Sequence, residues 1–128
     1  MIMEEINNEI LKINDYLKKC LWMDFEFARM DGGNIEIAGR IDTSYYDFAI
    51  SIEFEMPFYI SSLLNWHLDD SKIFIELLEG NEMWDIINRY HVEKGNYIFR
   101  VNAQHFETAP IIIASKGLRC EILNENPF

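Results

Sequence analysis

Basic residues are scarce in this chain of 128 residues, in which 11 Lys and Arg face 22 Asp and Glu and give a formal net charge of −11. The middle is the most depleted part, because no Lys or Arg occurs between Arg40 and Lys72. A surface of this sign repels phosphate backbones and disfavours a nucleic-acid partner. It attracts a basic protein and speeds their encounter, although acidity alone also serves solubility.

Other missing signals each exclude a class of protein. No apolar run is long enough to cross a bilayer. Residues 1–10 lack the basic start and apolar block of a signal peptide, so we expect a cytoplasmic protein with no membrane partner. Because the chain contains no repeat, linker or low-complexity tract, we expect residues 1–128 to form a single domain, with 124–128 as a loose tail.

Motifs for catalysis, metals and cofactors are also missing. The sequence has no CxxC, HExxH or GxSxG spacing, and the glycines of GGNIEIAG (32–39) flank a strand instead of opening a phosphate-binding helix. His67 and Asp69 are two residues apart, but no third ligand accompanies them. Cys20 and Cys120 fall among apolar positions, which favours buried, reduced thiols over a nucleophile. We therefore expect no enzyme, no metal site and no cofactor.

Apolar periodicity predicts an α+β fold in which a mostly antiparallel sheet packs with an N-terminal helix and a middle helix. Apolar residues at steps of three and four predict the first helix over 2–20. Alternation with period two predicts a hairpin over 23–41, with its turn at 31–34. Further strands are predicted at 48–56, which Pro57 ends, at 97–101, at 111–114 and at 118–123, with a turn at Lys116-Gly117 between the last two.

The segments between these strands are more ambiguous. Residues 69–79 predict the middle helix, because their polar side chains form one helical stripe and Gly80 suits a helix C-terminus. The strand propensity of Ile73-Phe74-Ile75 opposes that assignment. Residues 82–92 fit either a helix or a strand, and we favour a strand that leads into a hairpin turn. Residues 58–66 stay open between a strand and a turn of helix.

The acidic middle region predicts a binding surface. Interfaces favour aromatic side chains amid charges that complement those of the partner. At least one of Tyr45 and Tyr46 is expected to be exposed, whereas Trp66 and Trp84 are more often core residues than interface residues. The predicted partner-binding residues are Tyr45, Tyr46, Asp69, Asp70, Glu76, Glu79, Glu82, Trp84 and Asp85.

Four stretches resemble the small acidic immunity proteins of bacterial polymorphic-toxin and contact-dependent growth-inhibition systems. They are GRIDTSYYDFAISIEF (39–54), DDSKIFIELLEG (69–80), GNYIFRVNAQHF (95–106) and IIIASKGLRCEI (111–122). The resemblance implies a stoichiometric inhibitor without catalytic residues, which binds a cognate toxin domain, often a basic nuclease. Two other interpretations stay open: a small-molecule-binding protein or small enzyme with a sheet-floored cleft, and a homodimeric structural subunit.

Overall fold

The computed structural model describes residues 1–42, 44, 46–106 and 108–126. Within these ranges the chain forms two helices and seven strands, which confirms the predicted α+β fold with an N-terminal and a middle helix. The elements are α1 (Met3–Leu17), β1 (Asp24–Met30), β2 (Asn34–Arg40), β3 (Ile50–Ser61), β4 (Asn65–His67), β5 (Ile75–Leu77), α2 (Gly80–Tyr90), β6 (Tyr97–Val101) and β7 (Ile111–Ile122). The strands form one antiparallel sheet in the order β4-β1-β2-β3-β7-β6-β5.

The predicted hairpin is confirmed as β1 and β2. The Asp31 carboxylate accepts hydrogen bonds from the backbone N–H groups of Gly33, at 2.8 Å, and Asn34, at 2.9 Å. These bonds stabilise the charged form and hold the pKa of Asp31 below its ordinary value. The turn residues therefore organise the turn through their own side chains.

The sheet curls around α1. Its two ends approach each other where Leu68, after β4, bridges to Ala103, after β6. Inside the curl, Ile6, Ile13 and Leu17 of α1 pack against the inward-facing side chains of the strands. Burial of these apolar side chains is the main source of stability for such a fold.

Polar side chains of α1 also bind the backbone of two strands. The Asn14 amide donates to the Ile75 carbonyl at 2.9 Å and accepts from the Ile75 N–H at 3.1 Å, so it occupies the edge of β5. The Lys12 ammonium donates to the Cys120 carbonyl of β7 at 2.7 Å. Helix α1 thus supplies hydrogen bonds that a further strand would otherwise provide.

Replacing Asn14 by alanine is expected to lower the free energy of unfolding by about 1–3 kcal/mol, because two backbone groups of Ile75 lose their partner. Urea denaturation monitored by circular dichroism measures this loss. Asn8→Ala makes the same change at an exposed position of the same helix and should leave stability nearly unchanged. Equal stability of the two variants would show that the Asn14 bonds contribute nothing.

Helix α2 covers the other face of the sheet. Its half-buried residues Met83, Ile86, Ile87 and Tyr90 recur at helical spacing. They pack on a second apolar cluster that includes Leu78, Val92, Ile98 and Ala114. The sheet is therefore covered by α1 on its inner face and, over part of its outer face, by α2.

The assignments for 69–79 and 82–92 were wrong. Residues 69–79 contain no helix but the short strand β5, whose Ile75 pairs with Val101, because the strand propensity around Phe74 prevails. Residues 80–90 form the helix instead of a strand, because one stripe of apolar side chains can pack on the sheet. Gly80 has a φ of +61° and is the first residue of α2, so this glycine begins the middle helix and does not end it.

Two predicted breaks fall inside continuous strands. Pro57 does not end β3, which reaches Ser61, because the register shifts between Pro57 and Tyr59 and such a bulge tolerates a proline. Lys116-Gly117 is not a turn, since β7 runs unbroken from Ile111 to Ile122. A Cβ on Gly117 would lie 3.2 Å from the Cβ of Glu55, so this glycine permits close approach of β3.

In the predicted tail, residues 127 and 128 lie outside the described ranges. Asn124 is held: its N–H donates to the Ala49 carbonyl at 3.0 Å, and its own carbonyl accepts from the Tyr16 hydroxyl. The chain is thus fixed to α1 up to Asn124.

Candidate partner-binding surface

The outer side of α2 presents a tryptophan to solvent. Trp84 is 54% exposed, and Asn81, Asp85 and Asn88 on the same side of the helix are exposed as well. The preference for Trp84 as a core residue was therefore wrong, because its position turns away from the stripe that packs on the sheet. Trp66, in contrast, is 3% exposed and stacks on Phe25 within the core.

Three predicted acids lie on or next to the helix that carries this tryptophan. Glu79 immediately precedes the helix, and Glu82 and Asp85 lie on its first turns. Among the residues that the structure describes, neither Glu79 nor Asp85 forms an ion pair. Carboxylates without a cation in their own chain are available to a basic partner.

Glu82 and Glu76 bind a single arginine of β6. The Arg100 guanidinium donates to the Glu76 carboxylate at 3.1 Å and to the Glu82 carboxylate at 2.6 Å. Burial by itself would raise the pKa of Glu76, but hydrogen bonds from Arg100 and Asn102 outweigh it and hold this pKa below its ordinary value. Glu76 therefore ties β5 to β6 and is less available to a partner than Glu79 or Asp85.

Asp69 is a structural acid. It is 8% exposed and accepts hydrogen bonds from the backbone N–H of Ser71, at 3.0 Å, and from the Ser71 hydroxyl, at 2.6 Å. The hydroxyl bond is the largest cause of the lowered pKa of Asp69. Its neighbour Asp70 is exposed and lies in the loop between β4 and β5.

The structure does not group the predicted tyrosine with α2. Tyr45 lies outside the described residues, and Tyr46 is 93% exposed in the loop between β2 and β3. That loop leads into Ile50 at the start of β3, whereas Tyr59 further along the same strand stacks on Tyr90 of α2. At about 3.3 Å per residue, these two positions on β3 are roughly 30 Å apart. Tyr46 therefore belongs to a different part of the surface.

Acids on the uncovered outer face of the sheet were not predicted as a site. Glu26 pairs with Arg40, Glu53 with Arg29 at 3.7 Å, and Glu55 with Arg119 at 3.1 Å. The period-two alternation of the sequence predicts that these acids share one face of the sheet. The arginines that pair with them lie on other strands, so only the strand register shows which arginine meets which acid. Much of the charge on this face is thus balanced within the chain.

Possible metal ligands do not come together in the described part of the chain. In the part of the chain that the structure describes, no group of three or more His, Cys, Asp or Glu side chains could hold a metal ion. The His67 ring nitrogen Nδ1 lies 2.5 Å from the Asp24 carboxylate, and the ring packs on Trp22 at a centroid distance of 4.7 Å. The partner of His67 is thus Asp24 and not Asp69.

Both cysteines are buried and unbridged, as the sequence predicts. Burial raises the pKa of Cys20 to about 11 and the pKa of Cys120 to about 12, from an ordinary value of 9.0. Neither thiol has the lowered pKa that a nucleophile requires.

These raised pKa values predict an alkaline loss of stability. Below about pH 9 both thiols are protonated in the folded and the unfolded chain, so they add no pH dependence. As the pH rises above 9.0, the unfolded chain releases protons that the folded chain retains, and the free energy of unfolding falls. Urea denaturation at about pH 8 and about pH 10 measures the slope, which should be smaller for Cys120→Ala. An unchanged slope in that variant would contradict the assignment.

No protein-family model matches the chain, and no match was found among curated proteins or solved structures. None of the helices in the described ranges has the length and apolar character needed to cross a membrane.

Proposed function

We propose that this chain is a cytoplasmic bacterial binding protein that neutralises a cognate toxin domain by stoichiometric association. The observation that supports it most is Trp84, a large aromatic side chain held 54% exposed on a helix whose opposite side packs on the sheet. Exposure of an indole costs free energy in the unbound protein, and tryptophan is one of the residue types enriched among interface hot spots. Trp84 is therefore the anchor of the proposed interface.

The acidic residues on and next to α2 indicate the charge of the partner. Neither Glu79 nor Asp85 forms an ion pair among the described residues, and the whole chain carries a net charge of −11. A nuclease needs a basic surface to bind phosphates, so an acidic inhibitor gains a faster encounter with it. We therefore propose a basic, nuclease-type toxin domain as the partner.

The acids should act on the association rate. Replacing Glu79 by glutamine and Asp85 by asparagine removes two charges from the interface, and the association rate should fall roughly tenfold at low salt. Stopped-flow binding over a range of salt concentrations measures this rate. The control, Glu4→Gln with Glu125→Gln, removes the same charge at two other exposed positions and should have a much smaller effect. Equal effects of the two double variants would contradict a local docking surface.

Co-expression in bacteria tests the function. Each C-terminal toxin domain encoded by the same genome is expressed with this chain, beginning with the gene directly upstream. The proposal predicts that one domain arrests growth alone and that co-expression of this chain restores growth. Growth arrest by every such domain despite co-expression would overturn the proposal.

A further inference from the structure

A cleft lies between α2 and the outer face of the sheet. Its volume is about 370 Å³, within the range of sites for small molecules. Ile86 of α2, Ile112 of β7 and Pro110 give it an apolar lining. The polar lining consists of Tyr59, Ser61, Glu82, Asp85, Arg89, Tyr90 and Arg100.

Two tyrosines form one wall of the cleft. The rings of Tyr59 and Tyr90 stack with their centroids 4.2 Å apart. The Arg89 guanidinium carbon lies 6.0 Å from the centre of the Tyr90 ring, and the interactions of Tyr90 with Tyr59 and Arg89 lower the pKa of Tyr90. Arg89 therefore lies beside this aromatic wall of the cleft.

Two residues of opposite charge lie close together on the α2 side of the cleft. Asp85 and Arg89 are four residues apart on α2, so their Cβ atoms are about 5–6 Å apart. In the described part of the chain neither forms an ion pair with the other or with another residue. Arg100 differs, because Glu76 and Glu82 already engage it. One carboxylate and one guanidinium therefore remain for a ligand.

We propose that this cleft binds a free α-amino acid with an apolar side chain, its carboxylate on Arg89, its ammonium on Asp85 and its side chain against Ile86, Ile112 and Pro110. The two charges of an α-amino acid lie on one carbon, which suits two opposite charges one helical turn apart. The apolar lining can pack against an apolar side chain of the ligand, but a polar or charged side chain would gain little from it. This site shares Asp85 with the proposed toxin interface, but binding of the amino acid does not require the toxin partner.

Isothermal titration calorimetry with the purified full chain tests the proposal. l-Leucine and l-phenylalanine at up to about 10 mM should bind, whereas N-acetyl-l-leucine, l-leucinamide and glycine should each bind at least about tenfold more weakly. The analogues respectively lack the ammonium, the carboxylate and the apolar side chain. Equal affinity for leucine and its two blocked analogues, or no heat from either parent amino acid, would overturn the proposal.

Variants locate the site. Arg89→Gln should weaken leucine binding at least about tenfold, because the carboxylate loses its charged partner. Asn88→Ala changes an exposed residue of the same helix outside the cleft and should leave leucine affinity unchanged. If Arg89→Gln binds leucine as well as the wild type does, the cleft is not the site. Because Arg89 belongs to the cleft and not to the proposed toxin interface, its variant separates the two proposals.

Discussion

Replacing Trp84 by alanine should weaken the complex with the toxin domain by about 2 kcal/mol, or roughly 30-fold in Kd. The indole is 54% exposed in the free chain and none of the described ring contacts involves it. Its removal should therefore leave the free energy of unfolding within about 0.5 kcal/mol of the wild-type value. Surface plasmon resonance measures the affinity, and urea denaturation measures the stability.

Trp22 provides a matched control for this substitution. It is 41% exposed and packs on His67, next to β1 and β4, away from α2. Trp22→Ala should leave the affinity for the toxin domain nearly unchanged. The same loss of affinity in both variants would mean that Trp84 is not a specific anchor, and a loss in Trp22→Ala alone would place the interface at β1 and β4.

Replacing Phe54 by alanine should lower the free energy of unfolding by about 3–5 kcal/mol. Phe54 is 0% exposed at the centre of β3, pairs with Ile35 and Leu118 on the two flanking strands, and meets Phe99 edge-on at 5.5 Å. Truncation removes buried apolar surface and leaves a cavity, which the flanking strands β2 and β7 prevent from collapsing. The loss is a large part of the 5–15 kcal/mol typical of a small domain.

Urea denaturation measures this change through the midpoint and slope. Phe58→Ala is the control, because Phe58 lies on the same strand but is 41% exposed, and its loss should cost about 1 kcal/mol or less. Equal losses in the two variants would contradict the assignment of Phe54 to the centre of the core.

Local sequence patterns predict α1 and the first hairpin because their determinants are local. The stripe through Ile6 and Ile13 has helical spacing, and Asp31 binds the backbone of its own turn. The predictions for the middle of the chain are wrong because the determinants there are not local. Strand β5 has three residues and exists because Ile75 pairs with Val101, a residue far away in the sequence. Gly117 is a second example of a determinant that is not local. The sequence pattern predicts a turn there, whereas the missing side chain allows β3 to approach closely at Glu55.

The candidate surface is also only partly readable from sequence. Acidic composition directs attention to Glu79, Glu82 and Asp85, and these do lie around α2. The exposure of Trp84 follows from the helical assignment of 80–90, which the sequence left open. Burial of Asp69 against Ser71 depends on a loop conformation that periodicity does not describe. Charge thus predicts the region, and packing decides which of its residues are available.

The most direct measurement of the central claim is a titration of toxin activity with the purified chain. The catalytic rate of the cognate toxin domain is followed as the chain is added at a toxin concentration roughly tenfold above the wild-type Kd, which is below the Kd expected for Trp84→Ala. We predict a linear fall that ends at about one equivalent for the wild type, and a curved, incomplete titration for Trp84→Ala. Full activity of the toxin domain in the presence of excess wild-type chain would contradict a stoichiometric inhibitor.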